Sequence, residues 1–176
     1  MKHTPTTELR EGRSPLPPAD YIAETRRLYD SFGYGAYRWA DRTDTPAEFQ
    51  PLTKPLSECR VLLVGSGGVY RHGQIAFHTM DDTSIRVIPA DTPSADLRTA
   101  HFAYDQADAR SDPNCVLPLD ILRDMVADGE VGGLCEEALT FMGGIYSARR
   151  LEEETVPRIL ERCKAQEPDL VLLVPV

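Results

Sequence analysis

The segment Asp169-Leu-Val-Leu-Leu-Val-Pro-Val176 leaves little choice of local structure. A short apolar run rich in β-branched residues, placed after a helix, is the pattern of a strand buried on both faces in a parallel sheet. Arg60-Val-Leu-Leu-Val64 has the same character and runs straight into Gly65-Ser66-Gly67-Gly68. Glycines after a strand allow a sharp turn and let backbone N–H groups approach an anion. In open α/β sheets, ligands gather beyond the carboxyl ends of the strands. The residues beyond the first run would follow Val176, so the chain either ends in an inert strand or reads as the front part of a longer domain.

The other elements fit the same class. Tyr21, Ile22, Thr25, Leu28, Tyr29 and Phe32 recur at helical spacing and predict a helix from about 19 to 32, stopped by Gly33. Residues 34–58, with Trp39 and several prolines, have no period and read as an extended segment over the domain. Ile85-Arg-Val-Ile-Pro89 is a further strand, expected to be central in the sheet along with 60–64 and 170–175. Pro118 is suited to the first position of a helix over 118–128, with Leu119, Leu122, Met125 and Val126 as its stripe and Gly129 as its end. A charged helix follows near 152–166, its effective start close to Val156 because Pro157 is tolerated only in a first turn. Strands alternating with helices predict an α/β fold, with a parallel or mixed sheet, helices on both faces and Rossmann-like layering. Residues 1–18 read as a flexible polar arm and 19–176 as a single domain.

Composition excludes some partners. The 176 residues carry a net charge of −9, which disfavours nucleic acid and anionic membrane. No apolar run is long enough to span a bilayer, and the proline-rich start does not resemble a signal peptide, so a cytoplasmic location is expected. Cys59, Cys115, Cys135 and Cys163 form no C-x-x-C pair, which argues against a structural zinc or a disulfide framework. Each reads as a small buried hydrophobe.

Three groups of residues could carry chemistry. The turn Ser66-Gly67-Gly68 follows a strand, yet it fits neither the dinucleotide fingerprint nor the Walker loop, since position 70 is Tyr and no lysine follows. A strand-ending turn and an anion-binding loop remain equal readings. His101-x-x-x-Asp105, followed by Asp112-Pro-Asn114, offers an imidazole and two carboxylates for acid–base or metal chemistry. The bland alternative is an Asx turn. His72 and His78 lie in a segment that reads as a surface loop, and Cys135 has no sequence neighbour to activate it.

Taken in order, these pieces resemble a known family. Ser66-Gly-Gly-Val69 is followed by Arg86-Val-Ile-Pro89, His101-x-x-x-Asp105, Asp112-Pro-Asn114, Pro118-x-x-x-Leu122, Gly129-Glu-Val-Gly132, Gly143-Gly144 and the terminal strand. The set is similar to the selenoprotein B family of the glycine, betaine, sarcosine and D-proline reductases, nearest the D-proline branch, over about Tyr21 to Val176. The resemblance implies a subunit that reductively cleaves a C–N bond of a small amino acid or amine, with a dithiol as electron donor. It implies a selenocysteine or cysteine directly after Val176, then two residues and a cysteine, and a pyruvoyl group on a partner subunit. No catalytic residue or cofactor is then expected within this chain. Ser66, Gly67, Gly68, His101, Asp105, Asp112 and Asn114 are its candidate binding residues. Selenocysteine is encoded by UGA, and a frame read as stopped at that codon is the expected reason for the end at Val176. The alternatives are a binding or assembly module of the same fold without the redox loop, and a metal-dependent hydrolase built on His101, Asp105 and Asp112. The geometry expected for the first reading places Val64 and Val176 side by side, bordered by the Ser66–Gly68 turn and by at least one of His101, Asp105 or Asp112.

Overall fold

The structure is a computed structural model, and it describes residues 20–36, 44–45 and 50–176. The expected arm at 1–18 and Trp39 lie outside the described residues. Contacts divide the chain into two units, Met1–Pro46 and Ala47–Val176. In the first, helix α1 (Tyr21–Ser31) starts where Asp20 accepts the Ala23 N–H at 3.0 Å. It ends at Gly33, whose φ of +71° a residue with a side chain rarely adopts.

The second unit holds the sheet. In chain order its elements are β1 (Arg60–Gly65), β2 (Val69–Arg71), β3 (Ile85–Pro89), β4 (Leu97–Thr99), α2 (Ala107–Ser111), α3 (Leu119–Ala127), β5 (Gly133–Leu134), β6 (Glu137–Phe141), the single turn α4 (Ala148–Arg150), α5 (Val156–Gln166) and β7 (Leu170–Val174). β7 runs parallel to β1 along one edge, from Val61↔Leu170 to Gly65↔Val174. β5 and β6 share the other edge, also parallel, and β3 closes that side antiparallel to β6. Between Arg60↔Gly133 and Val64↔Leu139, β1 advances four residues while its partner advances six. Cys135 and Glu136 are therefore accommodated in a bulge that separates β5 from β6.

Alternation along the strands sends neighbouring side chains to opposite faces. Leu62 and Val64 join Leu139, Cys135 and, from α5, Ile159 and Cys163. Leu63 joins Val69, Ile88, Leu97, Leu117 and Ala138, with Leu119 and Leu122 of α3. Helices thus cover both faces of a mixed sheet, and β1, buried on each side, has the continuous apolar sequence such a position demands.

Four elements differ from the sequence reading. Ile85–Pro89 and Leu170–Val174 are not central: β3 pairs with β6 alone and β7 with β1 alone, and the interior places belong to β1 and β6. Glu137-Ala-Leu-Thr-Phe141 lacks a β-branched run, so its burial comes from its place between β1 and β3. The segment beginning at Tyr70 is not wholly a loop, because Val69–Arg71 pairs antiparallel with Leu97–Thr99 in a separate ribbon. Pro118 caps α3 from outside the first helical position, with ψ at 55°.

The last helix is correct from Val156 onward, but helical structure begins earlier, at Ala148, and passes through a π-helical stretch, Leu151–Thr155. The wide π turn sits directly before Pro157. Proline has no N–H to bond the carbonyl four residues back and its ring crowds that carbonyl, so a wider turn removes the conflict. Side chains from the loop before β3 fasten this stretch. Thr155 Oγ1 donates to the Thr83 carbonyl at 2.9 Å, Thr83 Oγ1 donates to Glu154 at 2.5 Å, and Arg150 Nε donates to Glu154 at 2.9 Å. The Arg150 guanidinium and then the Thr83 hydroxyl hold the Glu154 carboxyl down to about 2.

A carboxyl whose pKa is depressed by folding stabilises the fold above its unfolded value and loses that contribution as pH falls toward the folded value. The difference in urea midpoint between wild type and Glu154→Gln should therefore be constant above about pH 5 and vanish as pH approaches about 2. A difference that does not change with pH would place the carboxyl outside this network.

Candidate functional site

The carboxyl ends of β1 and β7 meet at one residue. Ser66 N–H donates to the Val174 carbonyl at 3.0 Å, the last step of the β1–β7 ladder. The β1 backbone then turns away, and the Ser66 hydroxyl takes over: Val176 N–H donates to Ser66 Oγ at 2.9 Å. From the other side, Gly143 N–H donates to the Ser66 carbonyl at 2.8 Å. The ends of β1, β6 and β7 are thereby tied together.

Glycine is required around this knot because of what surrounds it. A Cβ on Gly67 would lie 2.9 Å from Val116 Cβ and 3.3 Å from Val176 Cγ2. Val176 is thus packed against the turn. A Cβ on Gly68 would collide with the Ala100 carbonyl, and its φ is +66°. The close approach is held by Ala100 N–H donating to the Gly68 carbonyl at 2.9 Å and Gly68 N–H donating to the Phe141 carbonyl at 3.0 Å. The next residue after Ala100 is His101, whose Cβ would be 3.3 Å from that added atom.

His101 is 5% exposed. Its ring lies 4.8 Å from that of Tyr104 and is stacked on Phe102 at 5.8 Å. Ala103 N–H donates to His101 Nδ1 at 3.0 Å, and Nε2 has no hydrogen-bond partner. Burial lowers the imidazole pKa and keeps it neutral. Tyr104 Oη donates to the Gly67 carbonyl at 2.8 Å, so the ring beside His101 also fastens the turn. Burial raises the Tyr104 phenol, which remains a donor.

The remaining candidates serve the backbone. Asp105 is exposed and accepts the Ala107 N–H at 2.9 Å, at the start of α2. Asp112 accepts the Asn114 N–H at 3.0 Å and caps the turn Pro113–Cys115. Asn114 bridges Asp112 to Asp120 through its amide and accepts the Asp120 N–H at 3.0 Å. This is the Asx-turn alternative, and its effect is indirect: the capped turn delivers Val116 onto Gly67. His101 is the member of its group that borders the Ser66–Gly68 turn and, through that turn, Val176.

Among the described residues no three His, Cys, Asp or Glu side chains are grouped to hold a metal ion, so the hydrolase alternative has no donor set. His72 and His78 are exposed on the loop after β2. Cys135 is 2% exposed with its thiol pushed up by burial, which is the reverse of activation. Cys59 is likewise buried, but Cys115 is exposed on the Pro113–Cys115 turn and does not behave as the expected core residue. The sequence reading passed over Tyr104 and Phe102. Their one signal was the density of rings in His101-Phe-Ala-Tyr104, which begins two residues after the strand that pairs with β2.

Gly68→Ala should lower stability by more than about 2 kcal/mol, since it meets a carbonyl and adopts a left-handed backbone. Gly133→Ala, with nothing within 4 Å of the added carbon, should shift it by less than about 1 kcal/mol. Chemical denaturation of the two variants checks the contrast. Equal behaviour would contradict the close approach of Ala100.

The family described as glycine/sarcosine/betaine reductase selenoprotein B matches residues 42–175. The chain is 35% identical over 128 residues to the D-proline reductase subunit gamma of Acetoanaerobium sticklandii, covering 73% of this chain and 53% of that protein. It is 30% identical over 123 residues to the sarcosine reductase complex component B subunit beta of Peptoclostridium acidaminophilum, covering 63% and 27%. A glycine reductase complex component B subunit gamma from Carboxydothermus hydrogenoformans is 33% identical over 93 residues, covering 48% and 20%. The chain thus spans about half the length of the first of these relatives and less of the others. No solved structure matches it. With the match extending over β1, the glycine turn, His101 and β7, the chain belongs to the glycine/sarcosine/betaine reductase selenoprotein B family.

Proposed function

We propose that the chain is a subunit of a reductase complex that cleaves the C–N bond of a small amino acid or amine: D-proline, glycine, sarcosine or betaine. A dithiol supplies two electrons and is oxidised to its disulfide, and the severed bond is capped as C–H and N–H. The observation that carries this reading is the convergence of Ser66, Gly67, Val176 and His101 at the carboxyl edge, where α/β sheets place their chemistry.

In this reading the nucleophile is a selenocysteine or cysteine directly after Val176, and a pyruvoyl group on a partner subunit activates the amine. This chain's own groups have a supporting part. Ser66 extends the ladder by one hydrogen bond and so fixes the direction in which β7 leaves the sheet. Tyr104 and Val116 hold Gly67 in place beneath it. His101 offers a neutral polar group in an aromatic surround, where water is scarce. Cys59, Cys115, Cys135 and Cys163 are free and none lies in a C-x-x-C pair, and burial raises the thiols of Cys115, Cys135 and Cys163, the reverse of what a nucleophile needs.

Residues 1–176, combined with dithiothreitol, D-proline and the pyruvoyl subunit of a D-proline reductase, should produce no ring-opened amino acid. Sequencing the gene beyond the Val176 codon tests the reading itself. A frame that continues with TGA or a cysteine codon, two codons and a cysteine supports the reductase subunit, and expressing it with cysteine at that place should restore some turnover. A frame without such a pair rejects it, and turnover by residues 1–176 alone rejects the placement of the nucleophile after Val176. The first of these outcomes favours a binding or assembly module of the same fold.

A further inference from the structure

Three buried polar side-chain atoms without a partner fall in one short stretch beside the Ser66–Gly68 turn: Thr99 Oγ1, His101 Nε2 and Gln106 Oε1. His101 is the most informative, because its chemistry is fixed from the other side. Nδ1 accepts the Ala103 N–H at 3.0 Å, so it cannot carry a proton. In a neutral ring the proton is then on Nε2, which makes Nε2–H a donor without an acceptor. Native proteins rarely leave such a group unpaired, and one that is left so calls for a functional role or for a water, ion or other partner.

The surround favours an oxygen ligand. The rings of Tyr104 and Phe102 flank the imidazole and exclude water, which strengthens a hydrogen bond to any acceptor that enters. The backbone of His101 is anchored: Gln106 donates from its amide to the His101 carbonyl, and the preceding Ala100 is bonded to Gly68. The donor is therefore held still. Its cover is less firmly held. Phe102, whose side chain makes no hydrogen bonds, is 40% exposed and is stacked at 5.9 Å on Tyr146, itself 65% exposed. The Phe102 ring occupies the space that a side chain at Gly144 would fill, so the glycine provides its seat.

We propose that His101 binds the carboxylate of the substrate as a neutral donor, through Nε2–H, and takes no part as a base. The proposal rests on the reading of the chain as a reductase subunit. Glycine, sarcosine and betaine differ at nitrogen and D-proline also at the α-carbon, and all four share the carboxylate. A hydrogen-bond donor to that carboxylate, bordering the turn on which Val176 packs, would serve all four, leaving discrimination to whatever meets the nitrogen. Rotation of Phe102 off Gly144 opens the site.

Long-range ¹H–¹⁵N spectra of labelled residues 1–176, with the His101 signals assigned by their loss in His101→Asn, test this directly. His101 should be the neutral Nε2–H tautomer. Its Nε2 signal should shift and saturate with D-proline, glycine and betaine, and stay in place with pyrrolidine and methylamine, which lack the carboxylate. Asn at position 101 can still accept the Ala103 N–H but has no donor at the Nε2 position. That variant should melt cooperatively and bind glycine at least about tenfold more weakly by calorimetry. Phe102→Ala should bind it more tightly. A proton on Nδ1, an equal response to pyrrolidine, or an Nε2–H that contacts only water at saturating carboxylate would overturn the proposal. None of these readouts involves turnover. Carboxylate binding without a reductase frame beyond Val176 would remove the functional reading and keep the donor site, and the reverse result would remove only the site.

Discussion

Ser66 makes three hydrogen bonds that tie the end of β1 to the ends of β6 and β7, and the geometry of the carboxyl edge depends on it. The backbone of a strand can serve a parallel neighbour only while it runs alongside. Where β1 turns at Gly67, the ladder to β7 would stop. A side chain with an oxygen one carbon from the backbone can replace the missing carbonyl, and serine is the residue whose hydroxyl is short enough to stay in register with the strand. Alanine at this position would leave the Val176 N–H without its partner, and a longer polar residue would place the oxygen beyond the ladder.

The knot holds only because the rest of the sheet is rigid beneath it. β1 is buried on both faces, with Leu62 and Val64 against α5 and Leu63 against α3. Each fully buried aliphatic side chain contributes roughly 1.5–3 kcal/mol relative to exposure. β7 lacks this symmetry. Leu172 and Val174 pack on the α3 side, while Leu173 on the opposite face is 67% exposed. The strand that carries Val176 to the site is thus secured mainly by its ladder to β1 and by one face.

The glycines at this edge mark where other groups come close. Gly67 makes room for Val116 and Val176, Gly68 for the Ala100 backbone, and Gly144 for the Phe102 ring. Each gives up side-chain packing for proximity. The same compression leaves the His101 imidazole buried among rings with one nitrogen satisfied and the other not. A neutral, oriented donor is the chemical consequence.

The two apolar runs determined much of this from sequence alone. Val61-Leu-Leu-Val64 is buried on both faces as its composition demands, Leu170-Val-Leu-Leu-Val174 is a strand as read but stands at the edge with Leu173 exposed, and helical spacing placed α1, α3 and α5 within a residue or two. The order of glycine, histidine and aspartate motifs was enough to suggest the family. Position within the sheet was not legible, because it depends on partners: Ile85–Pro89 has the composition of a central strand yet lies at an edge, and Glu137–Phe141 has no such composition yet lies between two strands. The same limit applied at the site. Asp105, Asp112 and Asn114 were as plausible on paper as His101, since a carboxylate that caps a turn and one that meets a ligand share the same spacing. Only the tertiary structure separated them, by satisfying the first three with local N–H groups and leaving His101 Nε2 without a partner. Burial and hydrogen-bond satisfaction are properties of what surrounds a residue, and that is decided by chain segments far from it in sequence.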